Sequence, residues 1–151
     1  MKKLLLTVPT FFGTEAILAH EIRALGYEIT ETTDGRVTFE GDAEAVALAN
    51  ICLRCGERVL IKMAEFEADT FEKLFEEVRA AEWENFIQAD CAFPVKGSSL
   101  RSTLSSVPAC QSIVKKAVVK RLSAKYGIEH FEEVKPHLSI SKLKLKVKTL
   151  I

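Results

Sequence analysis

The first 63 residues alternate between two hydrophobic periods, and that alternation restricts the possible folds more than any other feature of the chain. Lys3-Leu4-Leu5-Leu6-Thr7-Val8 reads as a buried strand. A turn from Pro9 to Gly13 leads to Thr14, a candidate helix N-cap. From Glu15 to Leu25 the residues Ile17, Leu18, Ile22 and Leu25 recur at helical spacing, and Gly26 closes the helix. Tyr27–Thr30 reads as a strand, Asp34-Gly35 as a hairpin turn, and Arg36–Glu40 as the returning strand. Gly41-Asp42 opens a second helix with Ala43, Val46, Ala47 and Ile51 on one face, and Gly56 ends it. Arg58–Met63 reads as a further strand.

Strand, helix, strand, strand, helix, strand is the order of the ferredoxin-like split βαβ plan, in which an antiparallel sheet lies under two helices. That plan serves many unrelated functions. At 151 residues, the chain has room for a second small domain. The boundary falls near Phe66–Asp69, without a Pro/Gly/Ser linker, so the two parts are expected to dock tightly. Asp69-Thr70 can cap a third helix from Phe71 to Ala81, with Phe71, Leu74, Phe75 and Val78 inward. Trp83 and Phe86 follow and are read as packing residues rather than base-stacking ones. Asp90–Val95 reads as a strand, Lys96–Ser106 as a loop and Val107–Tyr126 as a long helix ended by Gly127. Pro108 is tolerated in its first turn. Ile113, Val114, Ala117, Val118 and Leu122 form its buried stripe, with Ser112, Lys116, Lys120 and Ser123 on another face. In the tail, Leu138–Val147 is strand-like, with Leu143, Leu145 and Val147 alternating with lysines.

The formal net charge is zero, but the distribution is uneven. Residues 91–151 hold 12 Lys and Arg against 3 Asp and Glu, which leaves 9 against 18 in residues 1–90. Such a split points to a polyanion-binding second half. No apolar run approaches the ~20 residues of a membrane span, and the Leu4–Leu6 run stops at Thr7-Val8-Pro9 without a cleavage site. The expected location is therefore the cytoplasm. Cys52-Leu53-Arg54-Cys55 has CxxC spacing but no second pair for zinc, and it closes a helix instead of opening one; these thiols, with Cys91 and Cys110, are expected to be reduced and structural. GxGxxG, HExxH and GxSxG are all missing, and His20, His130 and His137 have no evident nucleophile partner. No catalytic centre, metal site or small-molecule substrate is read in this chain.

The segment from Lys96 to Arg121 gathers the groups suited to an anion. Gly97 allows close backbone approach, and Ser98, Ser99, Ser102, Thr103, Ser105 and Ser106 offer hydroxyls. Lys96 and Arg101 supply charge, and the next helix begins with unpaired N–H groups and a positive dipole end. Contacts of this kind position a nucleic-acid backbone without reading its sequence. The candidate nucleic-acid-binding residues are Lys96, Ser98, Ser99, Arg101, Lys115, Lys116, Lys120 and Arg121.

Several segments also resemble one family. These are Leu5-Leu6-Thr7-Val8-Pro9 followed by Gly13 and Glu15, and Asn50-Ile51-Cys52-Leu53-Arg54-Cys55-Gly56-Glu57-Arg58-Val59-Leu60. Phe71 and Trp83 follow, then Val95-Lys96-Gly97-Ser98-Ser99-Leu100-Arg101-Ser102 with Gln111-Ser112-Ile113-Val114-Lys115-Lys116-Ala117. Over about residues 3–130 the chain resembles the N-terminal region of bacterial THUMP-domain RNA methyltransferases that make N2-methylguanine in large-subunit ribosomal RNA. The resemblance implies an α+β protein: a ferredoxin-like domain over 1–67 docked on a THUMP-like α/β RNA-binding domain over 68–151, the two capturing structured, ribosomal RNA. It implies no cofactor in this chain, S-adenosylmethionine belonging to a C-terminal Rossmann-like catalytic domain. The chain is accordingly expected to be a fragment lacking that domain, with its last THUMP strands incomplete. Two other readings stay open: a protein-interaction or scaffold module using the acidic first half, and the THUMP part of another RNA-modifying enzyme such as a thiouridine synthetase.

Overall fold

The computed structural model describes residues 3–89, 93–98 and 104–127. The chain divides into two compact units, Met1–Lys62 and Met63–Ile151.

In the first unit, strands β1 (Leu4–Pro9), β2 (Ile29–Thr33), β3 (Arg36–Gly41) and β4 (Leu60–Ile61) form one sheet in the order β2-β3-β1-β4. Helices α1 (Glu15–Ala24) and α2 (Ala43–Cys52) connect them. All three pairings are antiparallel, with Leu6 opposite Phe39 and Val8 opposite Val37. The period of two puts Leu6, Val8, Val37 and Phe39 into a core shared with Leu18, Ala19 and Ile22 of α1 and Ala45 and Ala49 of α2. This is the ferredoxin-like topology, as the element order predicts.

Several local expectations are revised. Thr14 makes no side-chain cap; its hydroxyl donates to Phe11 O at 2.7 Å, and Glu15 takes over the loop amides. Ile17 points outward. The strand expected at Tyr27–Thr30 is displaced to Ile29–Thr33, and Arg58–Met63 contributes only two paired residues. Helix α2 buries Ala45 and Ala49, not the stripe of Ala43, Val46, Ala47 and Ile51; Ile51 is 80% exposed. The reason is steric. A Cβ on Gly41 would overlap the Cβ of Ala45 and lie 3.1 Å from Leu6 Cδ1, so α2 starts in close contact with the sheet through its smallest residues. Asp42 fixes that start by accepting from Ala45 N at 3.0 Å. Gly56 does not end α2. It bridges Thr10, and a Cβ there would come 2.5 Å from Val8 Cγ1.

Gly41→Ala is therefore expected to destabilise the first unit by about 1–3 kcal/mol, as overpacking does in a filled core. Hydrogen exchange should report faster opening of β1 and β3 while the protection of the helices in the second unit is unchanged.

In the second unit, helix α3 (Phe71–Ala80) and helix α4 (Val107–Tyr126) pack together, and a short 3-10 turn spans Trp83–Asn85. Thr70 caps α3, accepting from Lys73 N at 3.2 Å. Leu74, Val78, Trp83, Ile87, Val114, Ala117, Val118 and Leu122 form the core. Trp83 is fully buried, and its Nε1 donates to Val78 O at 2.6 Å. Phe71, expected inward, lies at the surface, while Leu74 and Val78 carry the buried stripe of α3. Helix α4 has the expected bounds, with Pro108 in its first turn and Gly127 at φ +69° closing it in the left-handed conformation that glycine adopts without strain. The expected strand at Asp90–Val95 is not formed over the described residues Phe93–Val95, its first half lying outside the described residues. The tail strand, Ser99, Arg101, Cys91, His130 and His137 also lie outside the described residues.

Candidate nucleic-acid interface

The site is built on two anchors. Phe93 and Leu104 are both buried in the core of the second unit, so the chain between them leaves and re-enters at fixed points. Lys96, Gly97 and Ser98 on the way out, and Ser105 and Ser106 on the way back, are exposed. Gln111 Nε2 donates to Val95 O at 3.4 Å. A Cβ on Gly97 would lie 3.2 Å from Gln111 Cγ and 3.7 Å from Val107 Cγ1. The absence of a side chain at Gly97 thus lets the Lys96–Ser98 backbone lie against the first turns of α4.

Helix α4 begins at that point. Its N-cap, Ser106, forms no side-chain cap bond, and its first turn carries no acidic residue. The positive end of a 20-residue helix therefore faces the loop without an internal carboxylate to neutralise it. Along the helix, Ser112, Lys116 and Lys120 are exposed, opposite the stripe of Val114, Ala117, Val118 and Leu122. Lys120 Nζ sits 5.6 Å from the centroid of the Phe75 ring, a cation–π contact that directs the ammonium along the α3 flank. Lys115 is half-buried.

Arg121 has a different environment from the other candidates. Its Nε and Nη2 donate to the two Glu84 carboxylate oxygens at 3.1 and 2.6 Å, with 32% of the arginine and 12% of the glutamate side chain exposed. Tyr126 OH bonds the carbonyls of Glu84 and Ile87 at 3.2 and 2.9 Å. Arg121 and Tyr126 together fasten the second half of α4 to the Trp83–Ile87 segment. The Arg121 hydrogen bond, outweighing burial, holds the Glu84 carboxyl below its ordinary 4.5. A depressed folded value means this pair contributes stability in full above the ordinary glutamate value, and loses it as pH falls through the lower folded value. Arg121→Gln is expected to lower the melting midpoint at pH 7, since it leaves the Glu84 carboxylate, only 12% exposed, without its cation. Melts followed by the fluorescence of Trp83, the one tryptophan in the chain, should also depend less on pH in the variant as pH falls below the ordinary glutamate value.

Sequence spacing brought Lys96, Ser98, Lys116 and Lys120 to attention, and the structure leaves all four exposed on the second unit. It gave no sign of Gln111 as the loop's clamp or of Glu84 as Arg121's partner, because both depend on how distant segments meet. Cys52, Cys55 and Cys110 carry no disulfide, and burial pushes the Cys110 thiol up, away from the reactive thiolate. Among the described residues, no cluster of His, Cys, Asp or Glu could hold a metal ion, and no helix is long and apolar enough to cross a membrane.

The fold and the site define a two-module α+β protein in which a ferredoxin-like sheet precedes a helix-paired unit with an exposed lysine face. Residues 5–60 match the family described as the RlmL ferredoxin-like domain, and residues 68–141 match the THUMP domain. The chain belongs to the family of proteins that join these two domains. It is 47% identical over 127 residues to "Putative RNA methyltransferase YpsC" of Bacillus subtilis (strain 168), covering 84% of this chain and 33% of that protein. It is 34% identical over 115 residues to the ribosomal RNA large subunit methyltransferase K/L of Syntrophotalea carbinolica, covering 76% of this chain and 16% of that protein. A crystal structure described as a predicted N6-adenine-specific DNA methylase from Listeria monocytogenes superposes with a TM-score of 0.88 at 42% identity, covering 98% of this chain and 38% of that one. The chain thus spans about a third of YpsC and about a sixth of the K/L enzyme.

Proposed function

We propose that this chain is the RNA-binding part of an S-adenosylmethionine-dependent rRNA (guanine-N2) methyltransferase, and that it holds structured ribosomal RNA by its phosphate backbone. The observation that carries this reading is the junction of the Lys96–Ser98 loop with the uncapped, acid-free start of α4, followed by exposed Lys116 and Lys120. Phosphate oxygens would accept from the loop amides and Ser98, and the lysines would track the strand by charge. The THUMP domain and the names of the methyltransferase relatives support RNA as the polyanion. This chain's residues would bind and orient the RNA for methyl transfer from S-adenosylmethionine. Arg121 is left out of the contact set, because Glu84 already occupies its guanidinium.

Competition binding tests the choice of RNA. Structured fragments of large-subunit ribosomal RNA should displace transfer RNA of equal length from the chain. Equal affinity for both would remove the ribosomal assignment and leave a general backbone binder.

A further inference from the structure

Phe11 and Phe12 are 74% and 78% exposed, side by side between β1 and α1. The backbone that carries them is held on every side. Thr10 N donates to Gly35 O at 2.9 Å, and Thr10 Oγ1 donates to Cys55 O at 2.7 Å. Thr14 Oγ1 donates to Phe11 O at 2.7 Å, and the amides of Gly13 and Gly35 both donate to the Glu15 carboxylate at 2.8 Å. Neither ring belongs to the core of the first unit. A fixed backbone that presents two solvated rings is preorganised for a flat, apolar ligand.

Three arginines stand at the same end of the unit. Arg36 lies opposite Pro9 in the β1–β3 register. Arg54 and Arg58 flank the segment in which Gly56 bridges Thr10 and Glu57 N donates to Pro9 O at 3.0 Å. The Arg54 side chain is 86% exposed even with its Nε on Glu21. The carboxylates at this end are Glu15, Glu21, Asp34 and Glu57. The first two hold loop amides, and Glu57 pairs with Arg58. Local charge is close to balanced, so a ligand here would be held by ring faces and planar guanidinium groups more than by net charge. A nucleobase fits that description: it is flat, it has a π-face for phenylalanine, and its own phosphate can meet an arginine.

We propose that Phe11 and Phe12, with Arg36, Arg54 and Arg58, form a stacking platform for unpaired nucleotides of a single-stranded RNA segment. It is carried by different residues from the lysine face of α4, and it rests on the reading that the protein binds RNA. The double variant Phe11→Ala/Phe12→Ala should keep the wild-type circular dichroism and melting midpoint, because both rings are solvated. Its affinity for an unpaired adenine- or uridine-rich octamer should fall by about tenfold or more, with the salt dependence of binding unchanged. Phe12→Trp should restore affinity, and its emission should be quenched as the octamer is added. An octamer affinity equal to wild type in the double variant would overturn the platform. So would an equal loss in Ile51→Ser, three residues before Arg54 and 80% exposed, which would show that the effect is not specific to the two rings. Wild-type binding that depends on Lys116 and Lys120 but not on the rings would defeat the platform alone. A wild-type chain that binds no RNA would defeat the RNA reading with it.

Discussion

Trp83→Ala is expected to unfold the second unit, or to leave it marginal, while the first unit persists. The indole is fully buried among Leu74, Val78, Val118 and Leu122. Its removal costs the transfer of a large aromatic surface and leaves a cavity, about 3–5 kcal/mol together. The Val78 carbonyl also loses the donor 2.6 Å away. For a small domain, whose whole stability is roughly 5–15 kcal/mol, such a loss is decisive. Trp83→Phe helps separate the two causes: it keeps much of the volume and gives up the hydrogen bond to Val78 O, which still accepts from Ala81 N at 3.3 Å, so the hydrogen-bond part should cost about 0.5–1.5 kcal/mol. Urea titration followed by circular dichroism, with hydrogen exchange to assign the lost signal to α3 and α4, checks both variants. Uniform destabilisation of both units would contradict the division at Lys62 and Met63.

The second large effect concerns RNA. Lys96→Ala/Lys116→Ala/Lys120→Ala is expected to lower affinity for structured RNA by roughly 10²–10³-fold near 0.1 M salt, by about the same factor for unrelated sequences, because phosphate contacts carry no sequence information. All three side chains are exposed, so the fold should tolerate their removal; Lys120 forfeits only its cation–π contact with Phe75. Arg121→Gln serves as the comparison. Its charge is bound to Glu84 in the folded chain, so its effect should fall on stability and leave RNA affinity within about twofold.

Where local signals suffice, the sequence already contained the answer. Helix α4 runs from Val107 to Tyr126 as its spacing implies, since Pro108, a strong apolar stripe and Gly127 define it without help from elsewhere. The sheet order follows from element order and the Asp34-Gly35 turn. Helix α2 was harder to read because it is apolar on nearly every side. Only the close approach at Gly41 selects Ala45 and Ala49 as its buried face. Arg121 flanks the face of Lys116 and Lys120, and nothing local to α4 shows that it is engaged; the carboxylate that engages it is 37 residues away in the chain. Phe11 and Phe12 looked like part of an ordinary turn, and only their exposure on a hydrogen-bonded loop makes them candidates for contact.

Salt dependence decides whether the Lys96–Ser98 loop and the lysine face of α4 capture RNA by its backbone. Affinity for a structured ribosomal RNA fragment would be measured across a salt series for the wild-type chain and the triple lysine variant. Backbone capture predicts a steep linear fall of log affinity with log salt in the wild type, and a slope shallower by about one for each lysine removed. A wild-type slope near zero, or identical slopes for the two proteins, would contradict it.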